Sequence, residues 1–286
     1  METEDRKKRL YSAPAKVTVT VLLLSLIHIC SLSYRDIITN MGIIFHIELQ
    51  EEQSMSLVGI IGAMEEEVSK LKEQMIDVSV KEKAGMEFFR GTLSGKPVVV
   101  VRSGIGKVNA GICTQILVDD YHIDYVINTG IAGSLKSVID IGDIVVSTDT
   151  LQHDVDAIGF GYPLGQIPRM DTLSFPADQR LVELAQEVCR EVNPEIHVYA
   201  GRVVSGDQFI SDKGVKQRII DNFGGYCTEM EGAAIAQAAY LNRVPYVVLR
   251  AISDKADDSA TVDYPTFERQ AIRHCVNLVL NMVKRL

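Results

Sequence analysis

The sequence predicts a three-layer α/β domain, and two observations carry that prediction. Short continuous apolar runs closed by glycine recur along the chain, the mark of strands buried on both faces, and stretches with apolar residues at helical spacing alternate with them. With 286 residues and 47% hydrophobic content, there is enough chain for one large core or two small ones.

Taken in order, residues 57–61 form the first apolar run and end at Gly62. Ala63-Met64-Glu65-Glu66-Glu67-Val68 then opens a helix in which Val68, Leu71 and Met75 share a face, and its first-turn glutamates suit the helix dipole. Only one of them has to face inward for the segment to do chemistry. Residues 78–84, 86–93 and 96–103 read as strands separated by Gly85 and by Ser94-Gly95-Lys96-Pro97. The last leads into Ser103-Gly104-Ile105-Gly106-Lys107-Val108-Asn109-Ala110-Gly111, a glycine loop opening a helix. Its third glycine falls late for a dinucleotide fingerprint, so the loop is expected to bring backbone N–H groups to an oxygen-rich ligand or ion rather than to NAD.

A helix over 108–121 feeds a strand over 125–129 that ends in Gly130-Ile131-Ala132-Gly133-Ser134, and another strand follows at 144–148. Loops at such strand ends are where open α/β sheets hold ligands. Residues 151–176, rich in Gly and Pro and carrying Phe160 and Tyr162, form a loop too long for a connector, as expected over a site or at a subunit interface. An amphipathic helix (181–192), a strand (197–205) and a helix (213–222) come next. A buried strand (246–252) ends in Ser253-Asp254-Lys255-Ala256-Asp257, and a helix over 265–286 closes the chain.

The stretch around which the rest is organised is Cys227-Thr228-Glu229-Met230-Glu231-Gly232-Ala233-Ala234, a short strand running into a small-residue helix that extends to Tyr240. If 226–229 is extended, Glu229 and Glu231 point one way and Met230 the other. Such a carboxylate pair in an apolar setting is costly unless it binds hydroxyls, a cation or an arginine. An acidic first helix turn is the plainer alternative.

A net charge of −9 argues against a nucleic-acid surface and leaves a small molecule or another protein as partner. Five scattered cysteines without C-x-x-C spacing read as reduced thiols of a cytoplasmic protein. Only His153-Asp154-Val155-Asp156 has any look of a metal-ligand cluster, and solvation or backbone bonding is its ordinary use.

Residues 1–54 differ in character. Arg6, Lys7, Lys8, Arg9 and Lys16 precede an apolar run over 17–30, like the start of a signal peptide but with no A-x-A site after it, and the run is short for a membrane anchor. The favoured reading is a frame opened too far upstream, because Met55 begins a well-formed first strand and Glu51-Glu52 imply purine-rich codons just before it. The folded domain is therefore expected over 55–286.

Four segments together carry a resemblance: Gly59-Ile60-Ile61-Gly62-Ala63-Met64-Glu65-Glu66-Glu67, Ser103-Gly104-Ile105-Gly106-Lys107, Glu229-Met230-Glu231 and Ala251-Ile252-Ser253-Asp254. In order and spacing they resemble the 5'-methylthioadenosine/S-adenosylhomocysteine nucleosidases of the purine nucleoside phosphorylase superfamily, through 55–286. The resemblance implies an α/β/α fold on a central mixed, twisted sheet. It also implies hydrolysis of the N-glycosidic bond of both nucleosides, and of 5'-deoxyadenosine, to adenine and a 5-substituted ribose, serving methionine salvage and removal of methyl-cycle by-products.

By the same resemblance Asp254 is the acid that protonates the purine at N7, with Ser253 orienting it. Glu67 is the base that activates water. Glu231 accepts hydrogen bonds from the ribose hydroxyls beside Met230, and Phe209 stacks on adenine while the Ile210 backbone reads the purine edge. Met64, Ile105, Ala132, Gly133, Glu229 and Arg250 complete the substrate-binding set, with no metal and no cofactor. Phe160 and Pro168 match positions that close the pocket of the neighbouring subunit, implying a homodimer. The family usually has serine where Ile131 stands, which removes a hydroxyl near the sugar and water side.

A phosphorylase is the main competing function. It needs arginines near the first glycine loop, where this chain has Glu65, Glu66 and Glu67. Futalosine or AMP hydrolysis stays open because the 5' pocket cannot be sized. A non-catalytic nucleoside-binding protein would have no need of both Glu67 and Asp254, and a NAD-dependent oxidoreductase is the remaining alternative.

Overall fold

The structure, a computed structural model, describes residues 56–286, which belong to a compact unit beginning at Met55. The readings given for residues 1–54 lie outside the described residues. The strands are β1 (Val58–Gly62), β2 (Ile76–Lys83), β3 (Met86–Leu93), β4 (Lys96–Arg102), β5 (Tyr125–Ser134), β6 (Ile144–Gln152), β7 (Phe175–Pro176), β8 (Val198–Ser205), β9 (Cys227–Glu229) and β10 (Tyr246–Asp254). The α-helices are α1 (Glu65–Lys72), α2 (Lys107–Ile116), α3 (Gln179–Val192), α4 (Lys213–Phe223), α5 (Gly232–Asn242) and α6 (Ala260–Arg285).

The sheet is mixed and runs β10-β6-β8-β9-β5-β1-β4-β3-β2, but β10 also pairs with β5. That second pairing closes β5, β10, β6, β8 and β9 into a ring, so only the β1-β4-β3-β2 wing is an open sheet. Strands β1, β5 and β10 are parallel neighbours, and every residue of β1 and β10 is buried. Apolar runs buried on both faces require helices on both sides. Val68 of α1, Leu181 of α3 and Val279 of α6 pack in one core cluster, while Cys113 of α2 and Ile235 of α5 pack in another. These are the three layers expected.

Several boundaries differ from the sequence reading, each for a physical reason. The strand placed at 125–129 continues to Ser134, because Gly133 and Ser134 pair with Thr228 and Cys227. The strand at 144–148 runs on to Gln152 alongside β8, and the strand at 246–252 runs on to Asp254 through a bulge against β5. Glycines in a strand that approaches other backbone closely look like loop residues in sequence. Helix α2 ends in a π-turn, Leu117–Tyr121, closed by His122 in the left-handed region. Helix α6 begins at Ala260, before the start expected at Pro265, and carries that proline inside its second turn. Strand β2 is an exposed edge. Among the described residues no helix is long and apolar enough to cross a membrane.

Candidate active site

The carboxyl ends of β1, β5 and β10, joined by the end of β9, surround a cavity of about 360 Å³. Glu67, Glu231, Asp254, Met230, Ser253, Met64, Ile105, Ala132 and Gly133, all positions that the resemblance singles out, line it. Phe209 lines both it and a narrow extension of about 30 Å³, whose wall includes Ile210 and Asp254. This is the strand-end placement that parallel sheets give their ligand sites.

Glu67 is the inward member of the Glu65-Glu66-Glu67 trio; its neighbours are exposed. Its Oε2 accepts the N–H groups of Ala63 (2.6 Å) and Met64 (3.0 Å), and its Oε1 accepts that of Ile131 (3.2 Å). Burial pushes its pKa above the ordinary carboxylate value, while nearby Arg250 and those three amides oppose the rise. Three amide donors favour an ionised acceptor, so this is a carboxylate with raised proton affinity, the condition of a general base.

At the other side Asp254 Oδ2 accepts the Ser253 hydroxyl (2.8 Å) and Oδ1 accepts the Ala256 N–H (2.7 Å). Burial again raises its pKa, opposed by these two donors. Its backbone neighbour across β5 is Gly133, where an added Cβ would lie 2.7 Å from Asp254 Oδ1. At Gly130 a Cβ would lie 2.5 Å from Glu67 Oε1. The two glycines let both acids sit against the strand.

The carboxylate pair at β9 divides its work. Glu229 binds the Arg250 guanidinium and the Ser205 hydroxyl, and its Oε2 accepts the N–H groups of Glu231 (3.1 Å) and Gly232 (2.8 Å). It is held below the ordinary carboxylate range despite the opposing effect of burial, chiefly by the Arg250 charge. Glu231 has no such cation of its own: burial and then the negative charge of Glu229 raise it to about 8, with its Oε1 accepting the Gly106 N–H at 2.8 Å. The expectation that Met230 points away from the pair fails, since Met230 lines the cavity with both glutamates. Strand alternation stops at Glu229, where β9 ends.

Further expectations are corrected or relocated. Arg250 does not reach the cavity wall; it is buried behind it, tied to Glu229 and to Asn128 Oδ1 at 2.5 Å. A side chain spent on a buried partner carboxylate is a structural counter-charge, not a ligand contact. Glu229 borders the cavity, but its oxygens are taken by protein donors. The glycine loop offers its Gly106 and Lys107 amides to Glu231 and Asp207 rather than to a ligand. Phe160 and Pro168 are exposed and away from this cavity. In the His153-Asp154 stretch, Asp154 pairs with Lys107 at 2.6 Å and no group of metal-ligating side chains occurs among the described residues.

Sequence reasoning missed Tyr264 and Thr228, which also line the cavity. Tyr264 stands edge-on to Phe209, ring centroids 5.8 Å apart, and its hydroxyl contacts Met64 Sδ at 3.3 Å. The proline beside it hid it, by moving the expected helix start past it.

A family model described as the phosphorylase superfamily matches residues 57–284. A 5'-methylthioadenosine/S-adenosylhomocysteine nucleosidase of Bacillus pumilus is 42% identical over 229 residues, 80% of this chain and 98% of that one. The crystal structure of such a nucleosidase from Colwellia psychrerythraea in complex with adenine superposes with a TM-score of 0.78 at 40% identity, over 82% of this chain and 96% of that one. A futalosine hydrolase of Helicobacter pylori superposes with a TM-score of 0.77 at 33% identity, over 81% and 99%. Matching the superfamily model over nearly all of 55–286 and sharing two-fifths of its residues with proteins it spans almost end to end, this chain belongs to the 5'-methylthioadenosine/S-adenosylhomocysteine nucleosidases of the phosphorylase superfamily.

Proposed function

We propose that the protein hydrolyses the N-glycosidic bond of 5'-methylthioadenosine and S-adenosylhomocysteine, releasing adenine. The observation that carries this reading is that Glu67, Glu231 and Asp254 line one cavity whose described wall includes neither Lys nor Arg. Phosphorolysis would need a cation for the phosphate; hydrolysis needs an acid at the base, a base for water and a group that holds the sugar hydroxyls.

In the mechanism, protonated Asp254 gives its proton to N7 of the purine as the C1'–N9 bond breaks, and the bond electrons leave with adenine. Positive charge gathers on the ribosyl ring, where the ionised Glu67 stabilises it. Water adds through oxygen to C1' and passes a proton to Glu67. Glu231 holds the sugar hydroxyls, Phe209 stacks on the base, and the apolar Met64 and Ile105 of the wall suit a thioether. Ile131 supplies its N–H to Glu67, so the loss of the family's serine leaves that backbone contact in place.

The test is adenine release from 5'-methylthioadenosine by residues 55–286, with and without phosphate, beside Asp254→Asn and Glu67→Gln. Phosphate-independent release, lowered at least ~100-fold in each variant, is expected. Phosphate-dependent formation of a ribose 1-phosphate would overturn hydrolysis. The likeness to a futalosine hydrolase favours one second reading, so futalosine belongs in the same substrate panel, and faster release from it would reassign the substrate.

The homodimer is part of the proposal. Phe160 is 87% exposed and Ile158 56% exposed, apolar side chains that suit a partner subunit. Sedimentation velocity should give a dimer; a fully active monomer would remove it. We assign the activity to methionine salvage and methyl-cycle by-product removal in the cytoplasm. Cells lacking the protein should accumulate 5'-methylthioadenosine, and unchanged levels would contradict that assignment.

A further inference from the structure

Glu231 is fixed at its free end by a single backbone amide, Gly106 N–H. That amide belongs to Gly106, the residue that caps α2 and accepts the Ala110 N–H through its carbonyl (3.1 Å), with φ of +82° at Gly104 and +96° at Gly106. The side-chain contacts that tie this cap to the rest of the site lie outside the cavity, in residues the mechanism leaves unused. Lys107 N donates to Asp207 Oδ1 (2.8 Å), Asp207 N donates to Asp154 Oδ2 (3.0 Å), and Asp154 Oδ1 pairs with Lys107 Nζ (2.6 Å). Lys107 Nζ also donates to Gln152 Oε1 (2.9 Å), and Gln152 Nε2 donates to Gln237 Oε1 (2.7 Å). Gln237 lies on α5, the helix that Glu231 itself caps. The circuit therefore closes: from Glu231 through Gly106 to Lys107, across the end of β6, and back to the helix that carries Glu231.

We propose that Lys107, clamped by Asp154 and Gln152, is a positioning residue for the sugar end of the site, fixing the Gly106 amide that aims Glu231. The inference rests on the reading that Glu231 holds the ribose hydroxyls. The Lys107–Asp154 pair suits the task because both side chains are largely withdrawn from water, 17% and 18% exposed, where a charge-assisted bond holds geometry better than on an open surface. A misplaced amide would leave the carboxylate free to swing, and displacement of a positioning group costs rate rather than fold.

The test uses Lys107→Met, Lys107→Arg, Asp154→Asn, Glu231→Gln and the Lys107→Met/Glu231→Gln double variant of the full chain. Each is assayed on 5'-methylthioadenosine and on its 2',3'-dideoxy analogue, with adenine binding as a check of the folded base site. Lys107→Met and Asp154→Asn should each lose roughly tenfold or more in kcat/KM on 5'-methylthioadenosine but less than about threefold on the dideoxy analogue. Lys107→Arg should recover most of the loss, and the double variant should be no worse than Glu231→Gln alone. Equal losses on both substrates, or additive losses in the double variant, would overturn the proposal. If Glu231→Gln fails to discriminate the two substrates, the reading of Glu231 falls and takes the proposal with it. If Glu231→Gln discriminates while Lys107→Met and Asp154→Asn do not, the proposal alone falls.

Discussion

At the scale of single residues, the site separates three buried carboxyl groups by their neighbours. Glu67 receives backbone amides, Asp254 receives a hydroxyl and an amide, and Glu231 receives one amide beside the negative Glu229. The Ser253 hydroxyl stabilises the ionised form of Asp254, so removing it makes Asp254 a weaker acid. In Ser253→Ala the alkaline limb of the kcat/KM profile, set by the group that must be protonated, should move up by about half to one pH unit, since one such bond contributes about 0.5–1.5 kcal/mol. A pH–rate profile checks it; an unmoved alkaline limb would detach that limb from Asp254.

At the scale of elements, β5 decides whether both acids can sit against the strand. Its glycines at 130 and 133 place backbone where any side chain would strike Glu67 or Asp254. A Cβ at position 130 would also lie 3.0 Å from Arg250 Nη1. Gly130→Ala should therefore lower kcat by roughly 100-fold through a displaced Glu67 while costing about 1–3 kcal/mol of stability from overpacking. Thermal melts and steady-state kinetics on the same preparation separate the two effects; a variant with normal kcat would show that Glu67 tolerates the displacement.

At the scale of the whole molecule, burying several acids together makes stability depend on pH. Glu231 rises from 4.5 to about 8 on folding. Below pH 4.5 its proton is bound in both states. Between 4.5 and 8 the unfolded chain has released it and the folded chain keeps it, so this contribution to stability is progressively lost as pH rises, approaching about 1.4 kcal/mol per pH unit. Glu67 and Asp254, also raised, act in the same direction. Glu231→Gln should flatten the decline between pH 5 and 8 and melt higher than wild type near pH 8. Calorimetry across that range is the measurement, and an unchanged slope would place the proton elsewhere.

Local periodicity makes the layers and the strand and helix order legible in the sequence. Most of the cavity wall is legible only through the resemblance that the short motifs carry, with Glu67 in the first turn of α1, Glu231 capping α5 and Asp254 ending β10. Tertiary structure alone decided the rest, because it depends on which strands meet. The ring closed by β10 on β5 follows from long-range pairing, and the same pairing turned an apparent glycine loop after Thr129 into strand. Arg250 reads as a site residue in sequence, yet its partner Glu229 comes from a distant strand and draws it behind the wall. Tyr264 entered the site because α6 starts before its proline, which local propensity opposes and packing overrides. Phe160 and Pro168, on the long loop, lie outside the cavity of their own chain.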